Sequence, residues 1–151
     1  MKVYITGIAG FIGYHLAIEL NAFCMDIVGC DDFNSYYNPK LKENRADLLK
    51  FSSIRVDNKD IIYLSEKDFK DIDVIVHLAA YAGVRNSLEN PDDYVNTNIL
   101  GTQHVIKLAE KLQIPVVYAS SSSVYADQTP PFTEDMEFKH HKNPYAWSKY
   151  V

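Results

Sequence analysis

Two side chains near the end of the chain, Tyr145 and Lys149, have the types and the spacing needed for proton transfer. Residues four apart lie on the same face of a helix, so the lysine ammonium can stand beside the phenol. A neighbouring positive charge lowers the pKa of a tyrosine, which is about 10 without perturbation. The pair therefore predicts a tyrosine general base, although Tyr-x-x-x-Lys alone occurs by chance in many helices.

Three glycines near the start of the chain predict a phosphate-binding turn. Gly7, Gly10 and Gly13 are spaced three apart and follow a short β-branched run, Val3–Thr6. Such a turn lets the backbone approach a pyrophosphate and packs the helix closely on the strand, while the helix N-terminus faces the phosphates. The pattern is Gly-x-x-Gly-x-x-Gly rather than Gly-x-Gly-x-x-Gly, and the alternative is a glycine-rich turn that binds nothing.

Acidic residues after the second and third strands predict the adenosine end of a dinucleotide site. Asp31 can accept hydrogen bonds from a ribose diol and repel a 2′-phosphate. Because no Arg or Lys follows until Lys40, the pattern favours NAD over NADP. The neighbouring Asp32 is the alternative ribose ligand, and we choose Asp31. Asp57 is either an acceptor for the adenine amino group or an ordinary loop aspartate.

Strand and helix patterns alternate along the chain and would position these groups. The strands are predicted at Val3–Thr6, Asp26–Cys30, Ile54–Val56, Asp73–Ala79 and Pro115–Ala119. The helices are predicted at Phe11–Asn21, Pro39–Lys50, Asp92–Leu112 and from Tyr145 onward, with a helical turn at Asp60–Ser65. This alternation predicts an α/β fold with a parallel, doubly wound sheet that carries helices on both faces.

Apolar stripes predict which faces of two helices are buried. The stripe of the first helix is Ile12, Leu16 and Leu20. The long helix starts after Asn90, a predicted N-cap, and its stripe is Val95, Ile99, Ile106 and Ala109.

The composition indicates one soluble domain with a core. The chain has 151 residues, of which 47% are hydrophobic and 23% charged. A formal net charge of −5 without a basic cluster argues against nucleic acid as a partner, and no run of 18 apolar residues predicts a membrane span. Cys24 and Cys30 are predicted to be buried, reduced thiols of a cytoplasmic protein. No metal site is predicted, and His140-His141 is interpreted as a solvated loop pair.

Together these segments resemble the extended short-chain dehydrogenase/reductase family, whose fold is of the Rossmann type. The matching segments are Thr6–Gly13, Val28–Tyr37, His77–Ser87, Asn96–Thr102, Val117–Tyr125 and Tyr145–Lys149. Within the family the chain is most similar to nucleotide-sugar 4-epimerases, especially the UDP-glucuronate type. The stretches Asp31–Tyr37 and Ala82–Ser87 carry this finer likeness.

The resemblance implies a catalytic set and a cofactor-binding set. Tyr145 would be the base, Lys149 would bind the nicotinamide ribose, and Ser121 would hydrogen bond the sugar oxygen. The register of the serine is open by one or two residues within Ser120–Ser123. The implied contacts to NAD are Gly7, Gly10, Phe11, Ile12, Gly13, Asp31, Asp32, Asn34, Asp57, Asn58, Leu78, Ala79, Ala80, Asn98, Tyr145 and Lys149.

The substrate of such an enzyme is a nucleotide sugar, and Ser121 and Arg85 are the implied substrate contacts. Arg85 would face a carboxylate or a phosphate, unless it is a surface arginine or one paired with Asp92 or Asp93. In the implied reaction NAD⁺ takes hydride from C4 while the tyrosine removes the hydroxyl proton. The 4-keto sugar then rotates, and the hydride returns to its other face.

Individual residues distinguish an epimerase from two alternative kinds of protein. Dehydratases and decarboxylases of the family carry an acid directly after the catalytic hydroxyl, whereas this chain has Ser122 and Ser123. A non-catalytic NAD-binding module would lack the Tyr or the Lys, and both are present. Ala126 departs from the family, which usually has glycine after Val-Tyr.

The resemblance also implies parts that these 151 residues do not contain. Family enzymes have two further strands and a C-terminal substrate domain of about equal size. We therefore expect residues 1–151 to form an incomplete NAD-binding domain that ends at the start of the catalytic helix. Such a chain is expected to bind NAD without turning over nucleotide sugar by itself. The complete enzyme is expected to be a homodimer that packs through Asp92–Leu112 and the helix from Tyr145 onward.

Overall fold

A five-stranded, fully parallel sheet forms the centre of the computed structural model, which describes residues 1–125, 128–136 and 142–151. Ala126 and the His140-His141 pair lie outside the described residues. The strands are β1 (Lys2–Thr6), β2 (Asp26–Asp31), β3 (Arg55–Asn58), β4 (Val74–His77) and β5 (Val116–Tyr118). Their order in the sheet is β3-β2-β1-β4-β5, which confirms the predicted doubly wound α/β fold.

Helices connect the strands and cover the sheet. They are α1 (Phe11–Ala22), α2 (Pro39–Phe51), α3 (Val84–Glu89), α4 (Pro91–Asp93), α5 (Thr102–Leu112) and α6 (Pro144–Tyr150). A π-helical segment, Tyr94–Gly101, joins α4 to α5, and single 3₁₀ turns occur at Ile61–Tyr63, Glu66–Phe69 and Ser122–Tyr125. None of the helices within the described ranges is long and apolar enough to cross a membrane.

The core lies on both faces of the sheet because side chains alternate along each strand. Val3 and Ile5 of β1 pack on one face with Ala17 of α1 and Leu49 of α2. The intervening Tyr4 points to the other face. There it packs with Phe69, Ile75, Val105 and Ala109. Continuous apolar strands of this kind are what a sheet buried on both sides requires.

Asparagine–proline pairs determine where two of the helices begin. The Asn38 side chain accepts a hydrogen bond from the Lys40 N–H at 3.0 Å, and Pro39 is the first residue of α2. The Asn143 side chain accepts one from the Ala146 N–H at 2.8 Å, and Pro144 opens α6. Since proline fits the first helical position, these caps start the helices at defined residues.

The predicted long helix at Asp92–Leu112 is instead three successive pieces. Eight residues of it, Tyr94–Gly101, are wound as a π-helix, and the short helix α3 precedes it unpredicted. Asn90 directly precedes α4, but its side chain donates to the Asn86 oxygen rather than capping the helix. A π-helix changes which side chains face the sheet, and a 3.6-residue period does not reveal it.

Three burial predictions were wrong. Ile12 is exposed because the packed face of α1 is formed by the small residues Gly13 and Ala17. Ile106 is exposed because Val105 and Ala109 provide the buried face of α5. Cys24 is exposed in the turn after α1, whereas Cys30 is buried in β2 as predicted.

Candidate functional site

A cavity of about 500 Å³ opens at the carboxyl ends of the strands, where ligands bind in sheets of this topology. Its walls come from the turn between β1 and α1, from the loops after β2, β3 and β4, and from Ala119 after β5. The predicted cofactor residues that it brings together are Gly7, Gly10, Phe11, Ile12, Gly13, Asp31, Asp32, Asn34, Leu78, Ala79 and Ala80.

The turn between β1 and α1 requires glycine at two of its positions. Gly7 has φ +70°, and a Cβ there would lie 2.9 Å from the backbone of Ala79. A Cβ on Gly13 would lie 2.3 Å from the Gly7 carbonyl oxygen. The glycines therefore allow close packing of the turn on β4 and on itself, as a short strand-to-helix turn demands.

The N-terminus of α1 faces the cavity without a side-chain cap. Its N-cap residue is Gly10, and no acidic residue lies in the first turn. The first N–H groups of a helix have no intrahelical partner, so those of Phe11 and Ile12 are donors in the cavity wall. An uncapped helix start of this kind suits an anion such as a pyrophosphate.

The Asp31 carboxylate is held by three donors at the end of β2. It accepts from the Ala9 N–H at 3.2 Å and the Phe33 N–H at 3.0 Å. The Lys42 ammonium donates to it at 2.9 Å, and the side chains of this ion pair are only 3% and 8% exposed. The neighbouring Asp32 accepts from the backbone N–H and the side-chain amide of Asn34.

Lys42 lines the cavity and was not singled out from the sequence. Its ammonium also lies 3.5 Å from the Asp32 carboxylate and 3.4 Å from the Asn34 side-chain oxygen. No cation lies between Asp32 and Lys40 in the sequence, but α2 brings Lys42 back to the two acids, so this part of the cavity does contain a cation. Lys42 and Arg45 are three apart on α2, the helix that follows the acid pair along the chain, and this spacing is the signal that could have revealed them.

Two predicted cofactor contacts, Asp57 and Asn58, are absent from the described residues that line the cavity. Asp57 lies within β3 rather than after it, and its carboxylate pairs with Arg55 at 3.3 Å. The following residues, Lys59, Asp60 and Ile61, line the cavity instead.

Arg85 lies on the surface of α3, where its side chain is 95% exposed. It pairs with Glu89 at 3.7 Å, and not with Asp92 or Asp93 as the alternative suggested. The structure therefore does not bring Arg85 to the cavity.

Lys149 stands beside the β5 end of the cavity. Its ammonium donates to the carbonyl of Ala119 at 3.0 Å and lies 5.5 Å from the ring centroid of Tyr118. The Tyr118 hydroxyl donates in turn to the Lys149 carbonyl at 2.7 Å. Burial lowers the pKa of Lys149 to about 8, because the charged form is poorly solvated.

Tyr145 and Ser121 lie on two different elements, Tyr145 on α6 with Lys149 and Ser121 in the segment that follows β5. Tyr145 is one helical turn before the lysine, and its ring packs edge-on against that of Tyr94 with centroids 6.1 Å apart. The Ser121 hydroxyl oxygen accepts from the Ser123 N–H at 3.2 Å, at the start of the turn after β5. Of the three catalytic candidates, Lys149 contacts Ala119 of the cavity wall and Ser121 follows Ala119 by two residues, and none of the three is among the described lining residues.

Asn98 is buried beneath the cavity and joins three segments. Its side-chain oxygen accepts from the Tyr81 N–H at 2.8 Å, and its amide donates to the Tyr81 carbonyl at 2.9 Å. The amide also donates to the hydroxyl of Ser148 in α6 at 2.9 Å. The polar groups of the Asn98 side chain thus have hydrogen-bond partners within the protein. One of these partners, Ser148, was not singled out from the sequence.

Residues 3–151 match the model of the NAD dependent epimerase/dehydratase family. The chain belongs to this family. It is 40% identical over 156 residues to a UDP-glucuronate 4-epimerase of Arabidopsis thaliana, covering 99% of this chain and 36% of that protein. These matches confirm the predicted family, which is NAD-dependent.

Solved structures of the family have the same fold. A UDP-glucuronic acid 4-epimerase from Bacillus cereus, in complex with UDP-glucuronic acid and NAD, has a TM-score of 0.92 and 33% identity. An NAD-dependent NDP-hexosamine 5,6-dehydratase involved in tunicamycin biosynthesis has a TM-score of 0.82 and 31% identity. Each comparison covers 99% of this chain, but only 49% of the epimerase and 46% of the dehydratase. The chain thus spans less than half the length of these relatives.

Proposed function

We propose that this chain supplies the NAD-binding and proton-transfer groups for epimerisation of a nucleotide sugar, UDP-glucuronate, at C4. The main support is that a single cavity extends from the predicted phosphate-binding turn to the residue that contacts Lys149. The uncapped start of α1 and the acid pair line the cavity at one end, and Ala119, which lines it at the other, accepts the hydrogen bond of Lys149.

The residues around the cavity fit a dinucleotide. The N–H groups of Phe11 and Ile12 would hold the pyrophosphate, and Asp31 or Asp32 would accept the adenosine ribose hydroxyls. Leu78, Ala79 and Ala80 would lie along the nicotinamide half, beside Lys149. When bound, NAD⁺ would supply the acceptor for the C4 hydride and return that hydride to the opposite face of the sugar.

The proton would be handled by Tyr145. Its phenolate would take the C4 hydroxyl proton as the carbonyl forms, and the phenol would give the proton back on reduction. A charged Lys149 would favour the phenolate, and Ser121 would donate a hydrogen bond to the sugar oxygen. No net proton is gained or lost over the cycle, as an isomerisation requires.

An epimerase is favoured over a dehydratase by the residues after Ser121. Elimination of a hydroxyl needs an acid to protonate the leaving group, and Ser122 and Ser123 do not provide one. The choice of UDP-glucuronate as substrate is supported by the relatives, since a UDP-glucuronate 4-epimerase of Arabidopsis thaliana is 40% identical over 156 residues and the similar Bacillus cereus structure contains UDP-glucuronic acid.

The cofactor half of the proposal is tested by titrating the chain with NAD and with NADP. We expect NAD to bind more tightly, and Asp31→Ala to weaken NAD about tenfold, as loss of a hydrogen bond to a charged group does. NADP should be weakened less, because the Lys42 ammonium is then available to a 2′-phosphate. Asp47→Ala, which removes an exposed carboxylate of α2, is the matched control. Equal weakening of both dinucleotides would remove the role assigned to Asp31.

The catalytic half is tested by a chimera in which this chain replaces the corresponding half of the Bacillus cereus enzyme. We expect the chimera, but not the 151-residue chain alone, to convert UDP-glucuronate to its 4-epimer, as followed by NMR. Tyr145→Phe should abolish conversion without preventing NAD binding. A chimera that folds and binds NAD but releases an unsaturated or decarboxylated sugar would contradict the epimerase assignment.

A further inference from the structure

Two tyrosine hydroxyls converge on one backbone carbonyl at the cavity mouth. Tyr36, in the loop after β2, donates to the Ala82 carbonyl at 2.5 Å. Tyr94, in the π-helical segment, donates to the same oxygen at 2.6 Å. The turn formed by Ala82 and Gly83 after β4 is therefore held from two sides.

The two tyrosines differ in how firmly they are held. Tyr94 is fully buried, donates also to the Gly83 carbonyl at 3.0 Å and accepts from the Asn86 amide at 3.1 Å. Tyr36 is 40% exposed, and its ring meets that of Tyr81 edge-on at 5.6 Å. Tyr94 thus anchors the turn from inside, whereas the bond from Tyr36 is at the surface and can open with little loss of burial.

The order of the strands determines what the Tyr36 bond spans. In the sheet β1 lies between β2 and β4, so a bond between the loops after β2 and β4 crosses the carboxyl end of β1. That end carries Gly7 and the start of α1. Tyr36 and Ala82 line the same cavity as Gly7. An extended ligand that runs from Asp31 to Ala119 crosses the same end of β1 and therefore passes next to this bond.

We propose that Tyr36 is a positioning residue that clasps the Ala82–Gly83 turn over the bound dinucleotide and so controls how fast the dinucleotide exchanges. The inference rests on the proposed NAD-binding function. It also gives a physical role to the two stretches that carry the finer likeness of the sequence, Asp31–Tyr37 and Ala82–Ser87, because the clasp joins one to the other.

The hydrogen bond between Tyr36 and Ala82 requires a glycine at position 83. Its φ of +87° is a conformation that other residues rarely adopt, and a Cβ there would lie 2.8 Å from the Tyr36 hydroxyl oxygen. Asn34 shapes the other side, since its side-chain oxygen accepts from the Tyr36 N–H at 3.2 Å. Both partners of the clasp are thus held in the positions that the bond requires.

The test is stopped-flow measurement of NADH binding and displacement for the unsubstituted chain and for Tyr36→Phe. A clasp that the ligand passes in both directions changes both rates by the same factor. We expect association and dissociation to accelerate about fivefold, the equivalent of one neutral hydrogen bond, with little change in Kd. Tyr63→Phe, at an exposed tyrosine outside the cavity lining, is the matched control and should change neither rate.

Two results would contradict the role proposed for Tyr36. Rates for Tyr36→Phe that equal those of Tyr63→Phe would overturn the clasp, and so would a weaker Kd with unchanged association, which indicates a direct contact to the dinucleotide. Gly83→Ala offers a second route, because its methyl group should push the clasp open and accelerate exchange in the same way. If the unsubstituted chain binds no NADH, the proposed function fails, and the clasp fails with it.

Discussion

A single buried ammonium, that of Lys42, links the polar residues of the cavity wall that follow β2. It is within hydrogen-bonding distance of Asp31, Asp32 and Asn34. Two adjacent carboxylates would otherwise repel each other in a poorly solvated place. The Lys42 ammonium lies between the two carboxylates and offsets this repulsion.

We expect Lys42→Met to lower the free energy of unfolding by about 3 kcal/mol, because it leaves the buried Asp31 carboxylate without its cation. The measurement is urea-induced unfolding followed by circular dichroism. Lys50→Met is the matched control on the same helix, where the pair with Asp47 is exposed and should contribute less than about 0.5 kcal/mol. Adding Asp31→Asn to Lys42→Met should restore part of the lost stability. Equal destabilisation by the two lysine variants would contradict the role given to Lys42.

At the scale of elements, the π-helical segment Tyr94–Gly101 connects α6 with the loop that follows β4. It places Asn98 where one side chain bonds both the backbone of Tyr81 and the hydroxyl of Ser148. Ser148 lies between Tyr145 and Lys149 in sequence and donates to the Tyr145 carbonyl at 2.9 Å. A shift of Asn98 would therefore be transmitted through Ser148 to the backbone of Tyr145.

Replacing Asn98 by Ala should loosen α6 and the loop at Tyr81 together. The change leaves buried partners unpaired, which costs about 1–3 kcal/mol for each group. Hydrogen exchange read by mass spectrometry should be about tenfold faster or more in peptides covering residues 79–84 and 144–151. Asn96→Ala, on the exposed side of the same segment, should leave both regions protected. Fast exchange in only one of the two regions would show that Asn98 does not couple them.

At the scale of the whole molecule, His77 joins three elements across the core. Its ring exchanges hydrogen bonds with the Thr6 hydroxyl of β1 at 2.7 Å and with the Thr102 hydroxyl of α5 at 2.9 Å. Burial, and then the charge of Lys149, lowers the pKa of this histidine from 6.5 to about 4. The folded protein therefore holds His77 neutral, and protonation favours the unfolded chain.

This predicts a loss of stability in mild acid. Between pH 6.5 and 4 the unfolded chain binds the proton that the folded chain excludes, so the stability is complete above pH 6.5 and decreases as pH falls towards 4. The difference corresponds to about 3 kcal/mol, a large part of the 5–15 kcal/mol typical of a domain. Urea unfolding across this range should show a smaller pH dependence in His77→Gln than in the exposed-site control His15→Gln. The same slope in both variants would assign the acid sensitivity to other groups.

The architecture of this protein was predictable wherever it depends on residues near one another in the chain. Alternating apolar runs predicted the five strands, the glycine spacing predicted the turn at Gly7–Gly13, and the Tyr145–Lys149 spacing predicted one helical face. Departures from regular periodicity were missed, namely the π-helical segment and α3, because each is set by contacts with other elements.

The sequence by itself determined the family, the order of the elements and the types of group at each end of the site, since these follow from local pattern. Only the tertiary structure decided which groups meet. Lys42 reaches Asp31 across 11 positions, Tyr36 reaches Ala82 across 46, and Asn98 reaches Ser148 across 50. Periodicity shows which way a side chain points on its own element, whereas the packing of distant elements on one sheet determines what it contacts.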